Sequence, residues 1–213
     1  MRFIILVSIL ISTLATGTAR ADMVWHDAYK SPFSDWSAYQ YYRNVKQPMA
    51  ERGRKPSSAK PQAVAHAPLS ASDFRRTGMG RGVVTKYVAS LPIGAPDADQ
   101  LTAALNTTIA QLQKVGRKNN VATALATTIA VAHMVLDRDD LDTSKVDTLV
   151  VSLNDALAAA PEFKQLAPAG RQQMADELLL SSALIVLLHQ SGVVDASKAF
   201  AEQVLLTVTG SAR

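Results

Sequence analysis

From Ser70 onward, apolar positions recur every three or four residues, the period of a helix with one buried face, and the pattern persists to the end of the chain. Phe74, Val83, Val84, Tyr87, Val88 and Leu91 predict a first helix, interrupted near its start by Gly78, Gly80 and Gly82 and stopped by Pro92 and Gly94. A second is predicted from Pro96-Asp97, where Asp97 and Gln100 have capping-box spacing, through Leu101, Leu105, Ile109, Leu112 and Val115 to Gly116. The third has Asn120 as N-cap and is apolar almost all round, through Val121, Leu125, Ile129, Val131, Val135 and Leu136, so it should be largely buried. Thr143 or Ser144 caps a fourth that carries Val146, Leu149, Val150, Leu153 and Leu157 and is closed by Pro161. Pro168 sits at the first turn of a long helix through Met174, Leu178, Ile185 and Leu188 that ends at Gly192. Asp195 caps the last, with Phe200, Val204, Leu205 and Val208. No stretch alternates with period two for long enough to make a strand. The expected fold class is therefore all-α: a compact bundle of about five to six helices over residues 69–213, with short connections and antiparallel neighbours.

The first 68 residues follow other rules. Residues 1–21 read as a signal peptide, with Arg2 as the positive start, Phe3 to Leu14 as the apolar stretch and Ala19-Arg20-Ala21 as a small-x-small cleavage site. Cleavage after Ala21 is predicted, giving an exported bacterial protein, periplasmic or secreted. The apolar stretch, of about 12 residues, falls short of the ~20 that a spanning helix needs. The next most apolar run, Leu178 to Leu188, is also too short and contains Ser181 and Ser182. No transmembrane segment is expected in the mature chain. Residues 22–46 form an aromatic arm with Trp25, Tyr29, Phe33, Trp36, Tyr39, Tyr41 and Tyr42, and Pro32 breaks any single helix there. Residues 47–68 contain Pro48, Pro56, Pro61 and Pro68 among Lys, Arg, Ser and Ala, with little to bury, and read as a linker.

Charge divides at the same boundary. Residues 22–95 carry 11 Lys or Arg against 5 Asp or Glu, whereas residues 96–213 carry 9 against 13. The basic character of the chain is thus a property of its front end, which suits an acidic envelope polymer or an anionic lipid headgroup as well as a simply solvated tail. Nucleic acid is not an expected partner, because the cations are concentrated in a linker-like region of a protein read as exported. The chain has no cysteine, which excludes disulfides, thiolate zinc sites, Fe–S clusters, thiol nucleophiles and lipid attachment through a thioether.

Three stretches carry a resemblance: Asn119-Asn120-Val121-Ala122, then Pro161-Glu162-Phe163-Lys164-Gln165-Leu166, then Gln172-Gln173 with Glu177. In that order they resemble a family of exported proteobacterial helical proteins defined only as a domain of unknown function. The resemblance covers roughly residues 70–210, leaves the arm and the linker outside, and implies an exported helical domain without supplying an activity or site residues.

Candidate chemistry is sparse. The aspartate-rich turn Asp137 to Asp142 fails as an EF-hand, since Leu141, Asp142 and Thr148 stand where an oxygen ligand, a glycine and a bidentate glutamate belong. No metal is expected there. Gly78-Met79-Gly80-Arg81-Gly82, preceded by Arg75 and Arg76, has the makings of an anion nest, yet it matches neither the dinucleotide fingerprint nor the P-loop. His26, His66, His133 and His189 have no histidine or cysteine at ligand spacing. No Gly-x-Ser-x-Gly elbow is present, and the adjacent Asp176 and Glu177 point about 100° apart on a helix. These absences weigh against catalysis, and no cofactor is expected.

Aromatic rings on an exposed arm can stack on sugars, sit at a membrane interface or anchor a protein contact, or else fold back on their own bundle. The candidate binding residues are accordingly Trp25, Tyr29, Trp36, Tyr39 and Tyr42 in the arm, with Arg75, Arg76 and Arg81 beside it. The expected function is non-enzymatic binding of an envelope protein or a cell-wall or lipid partner through the arm. Two alternatives stay open: a periplasmic small-molecule or lipid-binding protein, and an envelope hydrolase.

Overall fold

The computed structural model describes residues 65–77, 82–137 and 143–209. Among them a 3₁₀ turn at Leu69–Ser72 precedes seven α-helices: α1 (Gly82–Ala89), α2 (Ala95–Leu112), α3 (Val121–Asp137), α4 (Thr143–Ala159), α5 (Pro161–Gln165), α6 (Pro168–Gln190) and α7 (Val194–Thr209). No strand occurs among the described residues, and the fold is all-α as the periodicity implies. The extra helix relative to the expected five or six is α5. Pro161 not only ends α4 but takes the first position of a single new turn, where its missing N–H leaves no bond unmade.

Local rules account for most helix ends. Asn120 caps α3 as predicted, accepting a hydrogen bond at Oδ1 from the backbone N–H of Thr123 at 2.9 Å. Pro168 occupies the first turn of α6. That helix ends in a Schellman arrangement: Gly192, at φ 79°, donates to the His189 carbonyl, and Val193 donates to that of Leu188. Two boundaries differ from expectation. The start of α2 lies at Ala95, two residues before Asp97, so Asp97 and Gln100 form no capping box. Phe74 is buried, as its place in the period suggests, but it is extended rather than helical and donates its N–H to the Asn119 carbonyl at 2.9 Å.

Helices α3 and α6 form the centre. α3 packs on α4, α6 and α7, while α6 packs on α1, α2, α3 and α7. The main core joins Leu125, Ile129 and Val135 of α3 to Leu153 and Leu157 of α4, Phe163, Met174 and Ile185, and Val204 and Leu205 of α7. A second cluster sets Val83, Val84 and Val88 of α1 and Leu105 of α2 against Leu180, Ala183 and Leu184 of α6. Because α6 serves both, it is buried from Met174 to Ile185 on every face. Its contact with α3 includes polar groups: Ser182 Oγ donates to Thr128 Oγ1 at 2.9 Å, so neither buried hydroxyl lacks a partner.

Residues 65–77 run across this centre as a strap. Asn154 of α4, fully buried, donates from Nδ2 to the carbonyls of Ala67 and Pro68 and accepts from Ser72 Oγ at 2.8 Å. Asn120 donates from Nδ2 to the Leu69 carbonyl, Ser72 Oγ and Asp73 Oδ1. Arg171 of α6 donates to the Ala71 carbonyl and stacks over the Phe163 ring, 4.5 Å from its centroid. His66 meets Asp155 at 2.6 Å, so the last residues of the stretch read as a linker lie against α4.

Candidate functional site

The strap ends where the chain turns from α2 into α3, and that corner is built from residues with unusual backbone needs. Gly116 has φ 70° and Asn119 φ 53°, left-handed conformations that glycine and asparagine tolerate best. A Cβ on Gly116 would stand 2.9 Å from Thr123 Cγ2, a buried β-branched group with little room to yield. Gly116→Ala is therefore expected to cost more than the ~1–2 kcal/mol of the backbone penalty alone, read as a lower midpoint in urea, whereas Gly192→Ala meets only that penalty because nothing lies within 4 Å of its Cβ.

Between this corner, Phe74 of the strap and Ala175 and Leu179 of α6 lies a cleft of about 330 Å³. That volume is at the lower end of small-molecule sites. Phe74, Leu112, Val115 and Leu179 give it apolar walls, and Arg76, Lys114, Arg117 and Lys118 bring four cations to it with no acidic residue in the lining. Two of the four are matched from outside the lining. Arg117 forms a two-pronged pair with Asp73, Nε to Oδ1 at 2.7 Å and Nη2 to Oδ2 at 2.6 Å. Arg76 donates from Nε to Asn119 Oδ1 at 2.9 Å and sits 3.7 Å from Asp176. Lys114 and Lys118 are exposed, and neither has an ion-pair partner among the described residues. Thr127, on the second turn of α3, is also among the lining residues; its Oγ1 is buried and has no hydrogen-bond partner among the described residues. Such a group costs about 1–3 kcal/mol when left unmade.

The two carboxylates behind the cations are pushed in opposite directions. The Arg117 guanidinium, by donating directly, holds the Asp73 carboxyl below its ordinary value despite some burial, and Asn120 adds to the effect. Burial pushes Asp176 up, Arg76 and Gln172 draw it partly back, and neighbouring Glu177 adds to the rise. For Asp73 the lowered value means that its contribution to stability is present above the unfolded carboxyl pKa, ~3.9, and is lost as pH falls through the lower folded value. Asp176 works the other way: its contribution is fully present below ~3.9 and is lost as pH rises through the raised folded value. Asp176→Asn mimics the protonated form. Its unfolding free energy relative to wild type is expected to rise between about pH 3.5 and pH 7, measured by urea unfolding across that range.

Of the residues singled out in the sequence, Arg76 reaches the cleft, and Arg75 is exposed beside it without lining it. Trp25, Tyr29, Trp36, Tyr39, Tyr42 and Arg81 lie outside the described residues, as do Gly78 to Gly80, the turn from residue 138 to 142, residues 1–64 and the last four residues. Lys114, Arg117 and Lys118 escaped notice, although three cations around Gly116 in five residues were a visible signal. His66 and Asp155 form a dyad, and among the described residues Asp155 is the only hydrogen-bond partner of the His66 side chain. No group of three or more acidic, histidine or cysteine side chains capable of holding a metal occurs among the described residues. No helix there is long and apolar enough to cross a membrane.

No curated protein and no solved structure matches the chain. A family model does, over residues 3–208, so the family's length takes in the arm and the linker that the resemblance over 70–210 left outside. The chain belongs to a family of unknown function, DUF6683.

Proposed function

We propose that the protein is an exported, non-enzymatic binding domain of the bacterial envelope whose ligand site is the corner cleft. The observation that carries this reading is the cleft itself: apolar walls and two cations that have no ion-pair partner among the described residues meet in one place. Specific polar groups set in an apolar pocket are how small-molecule sites fix their ligands.

The test is native mass spectrometry of the full chain recovered from its own envelope extract. An adduct of discrete mass is expected, weakened by Lys114→Glu with Lys118→Glu. An adduct-free spectrum would count against a ligand site in the cleft.

A second reading keeps the aromatic arm as the recognition element for an envelope protein or a cell-wall or lipid partner. The reach of the family match through residues 22–46 supports it, because the arm then belongs to the shared length. Affinity capture with residues 22–213 against a truncation starting at Pro68 tests it. A partner held only by the longer chain is the expected result, and equal capture by both would sink the arm's role.

A further inference from the structure

The proposal here concerns the class of ligand and rests on the reading of the corner cleft as a binding site. Charge comes first. Asp73 answers Arg117 and Asp176 answers Arg76, which leaves Lys114 and Lys118 as two cations with no ion pair among the described residues and no acid in the lining. A neutral ligand would leave that excess unanswered, whereas a carboxylate or phosphate monoester would meet it with charge-assisted hydrogen bonds. Shape comes second. Phe74, Leu112, Val115 and Leu179 offer the body of a ligand aliphatic and aromatic surface, not polar partners.

We propose that the cleft binds a medium-length amphiphilic anion: an anionic head at Lys114 and Lys118 and an aliphatic body against the apolar walls. The ligand is an acyl or alkyl anion, not a free inorganic anion.

The test titrates the full chain with octanoate, octyl phosphate, octyl glucoside and inorganic phosphate, following the methyl resonances of Ala124, Thr127 and Leu179. Octanoate and octyl phosphate should shift these signals and bind at least about tenfold tighter than octyl glucoside or inorganic phosphate, given the strength of hydrogen bonds to charged groups. Whichever of octanoate and octyl phosphate binds tighter assigns the head. Lys114→Gln with Lys118→Gln should remove about tenfold in affinity for the anions and leave octyl glucoside unchanged. Equal binding of octyl glucoside and octanoate would overturn the anionic class and leave the cleft as a ligand site. Absence of any shift at the cleft residues would overturn the proposal as a whole, and the native mass spectrum would then decide separately whether the cleft holds a ligand of another kind.

Discussion

Asn120→Ala is expected to lower the unfolding free energy by about 3–4 kcal/mol, among the largest effects of any polar substitution in this fold. One part is the cap: Asn120 Oδ1 accepts from the Thr123 N–H at 2.9 Å, and loss of such a cap costs ~1 kcal/mol. The larger part comes from the strap. Asn120 Nδ2 meets the Leu69 carbonyl at 2.9 Å, Ser72 Oγ at 2.9 Å and Asp73 Oδ1 at 2.8 Å, and the alanine side chain replaces none of these. Ser72 is fully buried and would keep only its bond to Asn154, and each hydrogen bond lost inside the fold costs about 0.5–1.5 kcal/mol, more where the acceptor is charged as at Asp73. In a domain of this size 1 kcal/mol moves Tm by about 2–4 °C, so a fall of roughly 10 °C is expected in far-ultraviolet circular dichroism. Asn120→Ser separates the two parts. Serine keeps a capping oxygen but cannot reach three acceptors, and it should recover only the smaller share.

The parts of this molecule that were legible in its sequence are those governed by near neighbours. Asn120 before an apolar run, Pro168 at a first turn and Gly192 after a last one each act within a few residues, and each does in the fold what its position implies. The burial of α3 was likewise visible, because an apolar run without a polar face has nowhere to go but inside. Asp97 misled for a local reason: a capping box requires the helix to start at that residue, and α2 starts two residues earlier at Ala95, behind Gly94.

The strap and the cleft could not be read in the same way. Ser72 meets Asn154 across 82 residues and Asn120 across 48, so no window of helical length contains both partners. Phe74 fits the helical period and is buried, yet its backbone pairs with Asn119 instead of continuing a helix, because the period registers burial and not conformation. The cations of the cleft were on view in Lys114-Val115-Gly116-Arg117-Lys118, but their chemistry depends on which acids stand nearby. That Arg117 finds Asp73, and that Lys114 finds no acid among the described residues, follows only from the path of the strap.

Leu125→Ala is expected to cost about 2–5 kcal/mol, the range for deleting most of a buried leucine from a close-packed core. Leu125 is fully buried on α3, in the cluster that ties that helix to α4, α6 and α7. Its loss has two components: the transfer free energy of the methyl groups, and the cavity that remains where the surroundings do not collapse. Collapse is restricted here. The helix is pinned to α6 by Thr128, which accepts from Ser182 and lies 3.0 Å from the Leu178 carbonyl, and to the strap by Asn120, so α3 cannot move to fill the space without breaking buried hydrogen bonds. That places the expected value in the upper half of the range. Urea unfolding should show a lower midpoint with an unchanged slope, since the surface exposed on unfolding hardly differs. Leu206→Ala on α7, where the side chain is 40% exposed, should stay within about 0.5 kcal/mol of wild type. If the two substitutions cost the same, α3 would not be the packed centre of the bundle.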